Sequence, residues 1–167
     1  SNKAFFGNPL AVFFDCIDLK ADEMHSIAKE VGYSETAFVF APKKESNSAK
    51  VRIFTPAGEL PFAGHPNIGV SYLLFKYPEY VLGHLDGKSM ILEQFAGNVQ
   101  ATACRADSGQ IVGTEIRAPE NFRALGSIPL ERISNAICVE LSQICKGKYS
   151  PSIASVGLPF GVVKVKS

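Results

Sequence analysis

A carboxylate that is to carry a proton must be drawn partly out of water, and the segment Tyr33-Ser34-Glu35-Thr36 offers such a setting, because Glu35 leads into the apolar run Ala37-Phe38-Val39-Phe40. Burial disfavours the charged form of a carboxyl group, which makes it a usable proton acceptor and donor near neutral pH. A second segment, Gly64-His65-Pro66, stands at the head of a helix-like apolar stretch. The start of a helix leaves backbone N–H groups unpaired and partly positive, so it holds anions such as carboxylates. Gly64 lets a ligand approach the backbone closely, and His65 adds a hydrogen bond or a proton. A third segment, Gly7-Asn8-Pro9, is a turn before an apolar run. Each has an ordinary explanation as well: a solvated Glu in a turn, a loop His that caps a helix, and a plain turn.

Other chemistries lack their residues. The remaining histidines are His25, on the polar side of a helix pattern, and His84, in a Gly-flanked loop. With His65 they show no H-E-x-x-H spacing, and no carboxylate cluster completes a metal site, so no metal is expected. There is no G-x-x-x-x-G-K-[ST] and no G-x-G-x-x-G, so a nucleotide cofactor has no support. Cys16, Cys104, Cys138 and Cys145 form no C-x-x-C pair and read as small buried hydrophobes.

The elements that must position these residues follow from periodicity. Leu10 to Phe14 reads as a buried strand. Met24, Ile27, Ala28 and Val31 form the stripe of an amphipathic helix over Asp22 to Val31, with Gly32 suited to its end. Thr36 to Phe40 is a strand, Lys43–Ser48 a loop, and Lys50 to Thr55 a strand with Val51 and Ile53 set against Lys50, Arg52 and Phe54. Ala57-Gly58-Glu59 reads as a turn. Val70 to Phe75 is apolar nearly all round, which marks a helix buried inside the domain, with Pro66 in its first turn. From Ser89 to Arg117 the pattern is a meander of antiparallel hairpins: Met90–Gln94, Asn98–Arg105 and Ile111–Arg117. Pro129 to Cys145 reads as a second amphipathic helix, lined by Leu130, Ile133, Ile137, Leu141 and Ile144. On it Cys138 and Cys145 share a face but lie too far apart along the axis to bridge. Ile153 to Val156 and Phe160 to Val165 are further strands. The fold class is α+β: a largely antiparallel sheet curled around a buried helix.

Composition narrows the partners. The chain has 167 residues, 46% hydrophobic and 20% charged, with 17 Lys plus Arg against 16 Asp plus Glu. The resulting charge of +1 excludes a strongly basic surface, so no nucleic acid is expected. No apolar run approaches the ~20 residues that span a bilayer, so no membrane is expected either. Thiols without a disulfide pattern, and no recognisable signal segment, favour the cytoplasm. On length the expectation is one domain. Yet the chain has no Met at its start, where Ser1-Asn2 reads either as residues added for expression or as the stump of a longer N-terminus, and it ends within a strand-like pattern.

Three blocks then recur in order: Phe6-Gly7-Asn8-Pro9-Leu10-Ala11-Val12, Ser34-Glu35-Thr36-Ala37-Phe38-Val39, and Arg52-Ile53-Phe54-Thr55-Pro56-Ala57-Gly58-Glu59-Leu60-Pro61-Phe62-Ala63-Gly64-His65-Pro66. Together they resemble the phenazine-biosynthesis isomerase-like (PhzF) family, which shares the diaminopimelate epimerase fold. Gly157-Leu158-Pro159-Phe160 also resembles a family segment, so the likeness runs from about Phe6 to the chain end. The resemblance implies two similar α+β lobes, each a sheet curled round a central helix, with the active site in the cleft between them. It implies an isomerase that uses no metal or organic cofactor and moves a proton between carbons of a small carboxylate substrate. Glu35 takes the role of general acid and base, while Ser34, Gly64, His65 and Pro66 line the substrate site. A homodimer is a further expectation. Related epimerases use cysteine at the corresponding helix start; here Ala63 stands before Gly64, so a two-cysteine mechanism is not supported.

Residues 1–126 are then expected to be the N-terminal lobe, and residues 127–167 the beginning of an incomplete second lobe that lacks its acidic, Thr-Gly-Ser-like ligand segment. On this reading the 167 residues are inactive by themselves. Two other readings use the same residues: a non-catalytic single-lobe module that binds carboxylates at Gly64–Asn67, and a structural domain with no site.

Overall fold

The computed structural model describes residues 3, 5–166. Ser1 and Asn2 lie outside the described residues. The chain divides into two compact units, Ser1–Pro119 and Glu120–Ser167, each with its own sheet.

The first unit holds strands β1 (Leu10–Phe13), β2 (Glu35–Phe40), β3 (Ala49–Thr55), β4 (Gly58–Leu60), β5 (Ser89–Gln94), β6 (Gly97–Arg105) and β7 (Ile111–Arg117), with helices α1 (Ala21–Val31) and α2 (Gly64–Lys76). The sheet runs β1-β2-β3-β5-β6-β7, with β4 hairpinned onto β3. The β1–β2 and β3–β5 pairs are parallel and the others antiparallel. Strand alternation assigns the faces. In register, Leu10 pairs with Glu35, Ala37 with Ile53, Val39 with Val51, Ala49 with Leu92, Met90 with Ala101 and Ala103 with Thr114. Cross-strand partners, and residues two apart on a strand, share a face. All of these therefore lie on one side. That side packs on α2, because the Thr114 hydroxyl donates to the Ile68 carbonyl at 2.9 Å and accepts from the Ser71 hydroxyl at 3.0 Å. Contacts of α2 with β1, β2, β6 and β7 show the sheet curling round it.

The opposite face carries Phe38 and Phe54, which pack on Met24, Ala28 and Cys16. Phe38 stacks on Phe13 at 5.2 Å and meets Phe54 edge-on at 5.7 Å. The amphipathic stripe of α1 thus covers one face and the apolar α2 the other. This explains why Phe54, expected on the polar side of its strand, is buried. Gly32 ends α1 at φ 69°, the left-handed conformation that suits glycine at a helix end.

Several expected boundaries move. The turn after β3 is Pro56–Ala57, held by the Thr55 hydroxyl, which accepts from the Ala57 and Gly58 N–H groups; Gly58 and Glu59 belong to β4. The first strand is half-buried rather than buried, since β1 is a sheet edge.

The second unit pairs β8 (Arg123–Ser127), β9 (Ser152–Ser155) and β10 (Pro159–Val162) antiparallel, beside α3 (Leu130–Ile137). The expected helix Pro129 to Cys145 is therefore cut short. Cys138 adopts φ 53°, ψ 44°, and its cap N–H bonds back to the Ser134 carbonyl. A 3-10 turn at Leu141–Gln143 and an Ile144–Val165 bridge follow. An α-helix and a 3-10 turn both bring residues three apart together, so the apolar spacing imitates a continuous helix. Cys138 is consequently exposed and shares no helix face with Cys145; the expectation of buried cysteines holds for Cys16. Strand β8 has no apolar alternation to announce it, and all five of its residues are exposed.

Candidate functional site

Glu35 is the first residue of β2, on the sheet face that meets α2. His65 is the second residue of α2. Together these elements bring His65 Nε2 to 3.4 Å from Glu35 Oε2, with the side chains 32% and 19% exposed. Both atoms are shielded from water, yet no hydrogen bond closes between them or to any other described group. Buried polar atoms are nearly always paired, so an acid and an imidazole left face to face without a closed bond form a poised arrangement.

The third segment joins them. The Asn8 side-chain amide nitrogen lies 3.5 Å from His65 Nδ1. What lets β1 come this close to α2 is Gly69: a Cβ there would stand 2.5 Å from Leu10 Cδ2. The chemistry-bearing parts of all three sequence blocks therefore meet at the head of α2.

The helix start itself is open. Its cap residue, Ala63, offers no side-chain hydrogen bond, and the first turn carries no acid. Gly64 is exposed, and a Cβ placed there would meet nothing within 4 Å. Pro66 is buried and has no N–H to leave unpaired. The N–H groups of Gly64 and His65, in the first turn, have no partner within the helix. Ser34 is exposed in the bend that precedes Glu35.

Behind this face a feature without a sequence signal fixes the helix. Asn67 is fully buried, and its amide nitrogen donates to the Ala63 carbonyl at 2.8 Å and to Gln94 Oε1 at 3.1 Å. Gln94 Nε2 donates back to Asn67 Oδ1 at 2.7 Å. The paired amides tie the end of β5 to the first turn of α2. Nothing local distinguishes Gln94 from any polar strand terminus.

Away from the site, burial pushes the Cys16 thiol above its ordinary range, more than its backbone contact with Val39 lowers it. Cys16 is therefore a protonated core residue rather than a nucleophile. Among the described residues no group of three or more His, Cys, Asp or Glu side chains is placed to hold a metal ion, and no helix is long and apolar enough to cross a membrane.

Comparison with known proteins gives a consistent picture. The family model described as phenazine biosynthesis-like protein matches residues 1–167. A trans-2,3-dihydro-3-hydroxyanthranilate isomerase from Pseudomonas aeruginosa is 40% identical over 113 residues, covering 68% of this chain and 37% of the relative. An uncharacterised isomerase from Mesorhizobium japonicum is 32% identical over 160 residues, covering 95% of this chain and 51% of the relative. Among solved structures, a Bacillus anthracis phenazine biosynthesis protein of the PhzF family superposes with a TM-score of 0.73 at 27% identity, covering 99% of this chain and 53% of that one. A hydroxyproline epimerase from Agrobacterium vitis shares the fold alone, with a TM-score of 0.59 at 14% identity over 89% of this chain and 41% of that one. The match covers between 24% and 51% of the length of curated relatives.

Proposed function

The chain belongs to the phenazine biosynthesis-like (PhzF) family, and from that premise we propose that it supplies one lobe of a cofactor-independent isomerase in which Glu35 moves a proton between carbons of a small carboxylate substrate. The observation that carries the reading is the half-buried Glu35–His65 pair, whose facing atoms lie 3.4 Å apart, shielded from water and without a closed hydrogen bond, beside the uncapped start of α2. Carbon acids are weak, so their deprotonation needs a positioned base and fixed dipoles for the developing negative charge. Glu35 is the base that returns the proton at a second carbon. The N–H groups at Gly64 and His65 hold the substrate carboxylate, with Ser34 and Pro66 as neighbouring walls. His65 assists the proton transfer.

The substrate of the Pseudomonas relatives, trans-2,3-dihydro-3-hydroxyanthranilate, is a carboxylate and the first compound to test. A two-lobe parent, with its second lobe opening at about Ser127, would supply the opposite wall, and the 167 residues alone would then be inactive. A homodimer and a cytoplasmic setting complete the proposal, the latter supported by four free thiols.

The test is deuterium wash-in at a substrate carbon from heavy water, in the longest available form of the protein. Glu35→Gln should lower exchange by about 100-fold or more, the lower range of general acid–base contributions, while circular dichroism stays native. Unchanged wash-in would sink the assignment. Carboxylate binding by calorimetry with no exchange in either form would favour the alternative, a binding module, which the open helix start also supports.

A further inference from the structure

The geometry points to Asn8 as a positioning residue. We infer that its side-chain amide donates to His65 Nδ1 and thereby holds the ring in the neutral form whose Nε2 carries the proton, aimed at Glu35 Oε2. The inference deepens the reading of the site given above.

It begins with matched spacing. His65 and Gly69 lie four apart on α2, on one face, separated by about 6 Å along the axis. Asn8 lies two residues before Leu10, and Pro9 between them biases Asn8 toward extended backbone, which spans a similar distance. Because Leu10 seats against Gly69, Asn8 is carried to the level of His65. Asn8 itself lies in the exposed segment that leads into β1, and the seat of Leu10 on Gly69 sets its level along α2.

Donor logic then selects the tautomer. A neutral imidazole has one N–H and one acceptor nitrogen, and the partner of one nitrogen determines the role of the other. In its role as base Glu35 offers only acceptor oxygens, so the Nε2 that faces it at 3.4 Å is matched to it as the nitrogen that carries the proton. Nδ1 is then the acceptor and requires a donor. The Asn8 amide nitrogen, 3.5 Å away, is that donor. Asn8 touches neither Glu35 nor the space in front of Gly64 in the described contacts, so it acts through His65.

Imidazole nitrogen resonances of 15N-labelled protein test this without any substrate. The three histidines are separable: His65→Gln identifies the His65 signals, and His25, whose Nε2 sits 3.0 Å from the Pro56 carbonyl, is an internal reference for an Nε2–H ring. At a pH where the rings are neutral, wild-type His65 should show Nε2–H with Nδ1 as a bonded acceptor. Asn8→Asp keeps the shape but replaces the donor by acceptors, so the proton should shift to Nδ1. Asn8→Ala removes the donor without replacing it, so the Nδ1 resonance should lose its bonded-acceptor position and the ring should become a mixture of Nε2–H and Nδ1–H forms. The His25 signals should stay fixed in both variants. Nδ1–H in the wild type, or a His65 spectrum unchanged in both variants, would overturn the inference. Failure of the isomerase reading would appear separately, as proton exchange indifferent to Glu35→Gln with the tautomer result intact.

Discussion

Replacing Gly64 with alanine separates what the fold needs from what the site needs. Gly64 is the first residue of α2, its φ lies outside the left-handed region, and an added Cβ meets no atom within 4 Å. At such a compatible position alanine restricts the unfolded chain and should stabilise the protein by about 0.4–1 kcal/mol. For a chain of this size that corresponds to a rise in Tm of about 1–4 °C. The methyl group projects into the open space before the first turn. An anion bound there needs its oxygens about 2.9 Å from the backbone nitrogens, whereas a methyl carbon keeps other heavy atoms about 3.5–4.0 Å away. Losing one charge-assisted hydrogen bond costs about 1.5–3 kcal/mol, so carboxylate binding should weaken by about ten- to a hundredfold. Thermal denaturation without ligand, and the ligand-induced rise in Tm across a series of small carboxylates, read both effects in one assay. A fall in Tm without ligand would refute the claim that the fold has no use for this glycine. A higher Tm with undiminished carboxylate stabilisation would place the ligand elsewhere and remove the role given to the start of α2.

Asn67→Ala removes a buried amide pair and leaves Gln94 and the Ala63 carbonyl without their partner, so stability should fall by about 2–3 kcal/mol. Urea denaturation should show a lower midpoint at constant slope, and a loss below about 1 kcal/mol would contradict the role given to the pair. Glu93 holds the loop before β3: burial pushes its carboxyl up, but the N–H of Lys43, the Asn47 amide and the N–H of Lys44 together outweigh this and hold it below the usual carboxylate range. Its stabilisation is therefore complete above the ordinary carboxylate range and is lost as pH falls through the lowered value. Hydrogen exchange at the Lys43 and Lys44 amides should lose protection in that acid window and throughout the pH range in Glu93→Gln; equal protection in the variant would show that Glu93 does not hold the loop.

Much of the first unit was legible because its elements announce themselves locally. The stripe of Met24, Ile27, Ala28 and Val31, the apolar run of α2 and the hairpins from Ser89 to Arg117 each follow from a single short-range period. The second unit was less legible for the same reason. The spacing of Leu130, Ile133, Ile137, Leu141 and Ile144 fits one helix as well as a helix, a 3-10 turn and a strand bridge, and only the left-handed backbone at Cys138 separates them. Strand β8 exists through pairing with β9 alone.

The sequence by itself named the α+β class, the two helices that flank the larger sheet, and three short motifs, two of them with residue types for proton transfer and the third a turn. It could not say that these motifs meet. Glu35 and His65 are thirty residues apart and Asn8 lies fifty-seven before His65, and no local period encodes such a distance. Tertiary structure decided it through the parallel register of Leu10 with Glu35 and the close seat of Leu10 on Gly69, which set β1, β2 and the head of α2 together. Local patterns record which face of an element is apolar, whereas a site depends on which faces, of all those available, finally pack against one another.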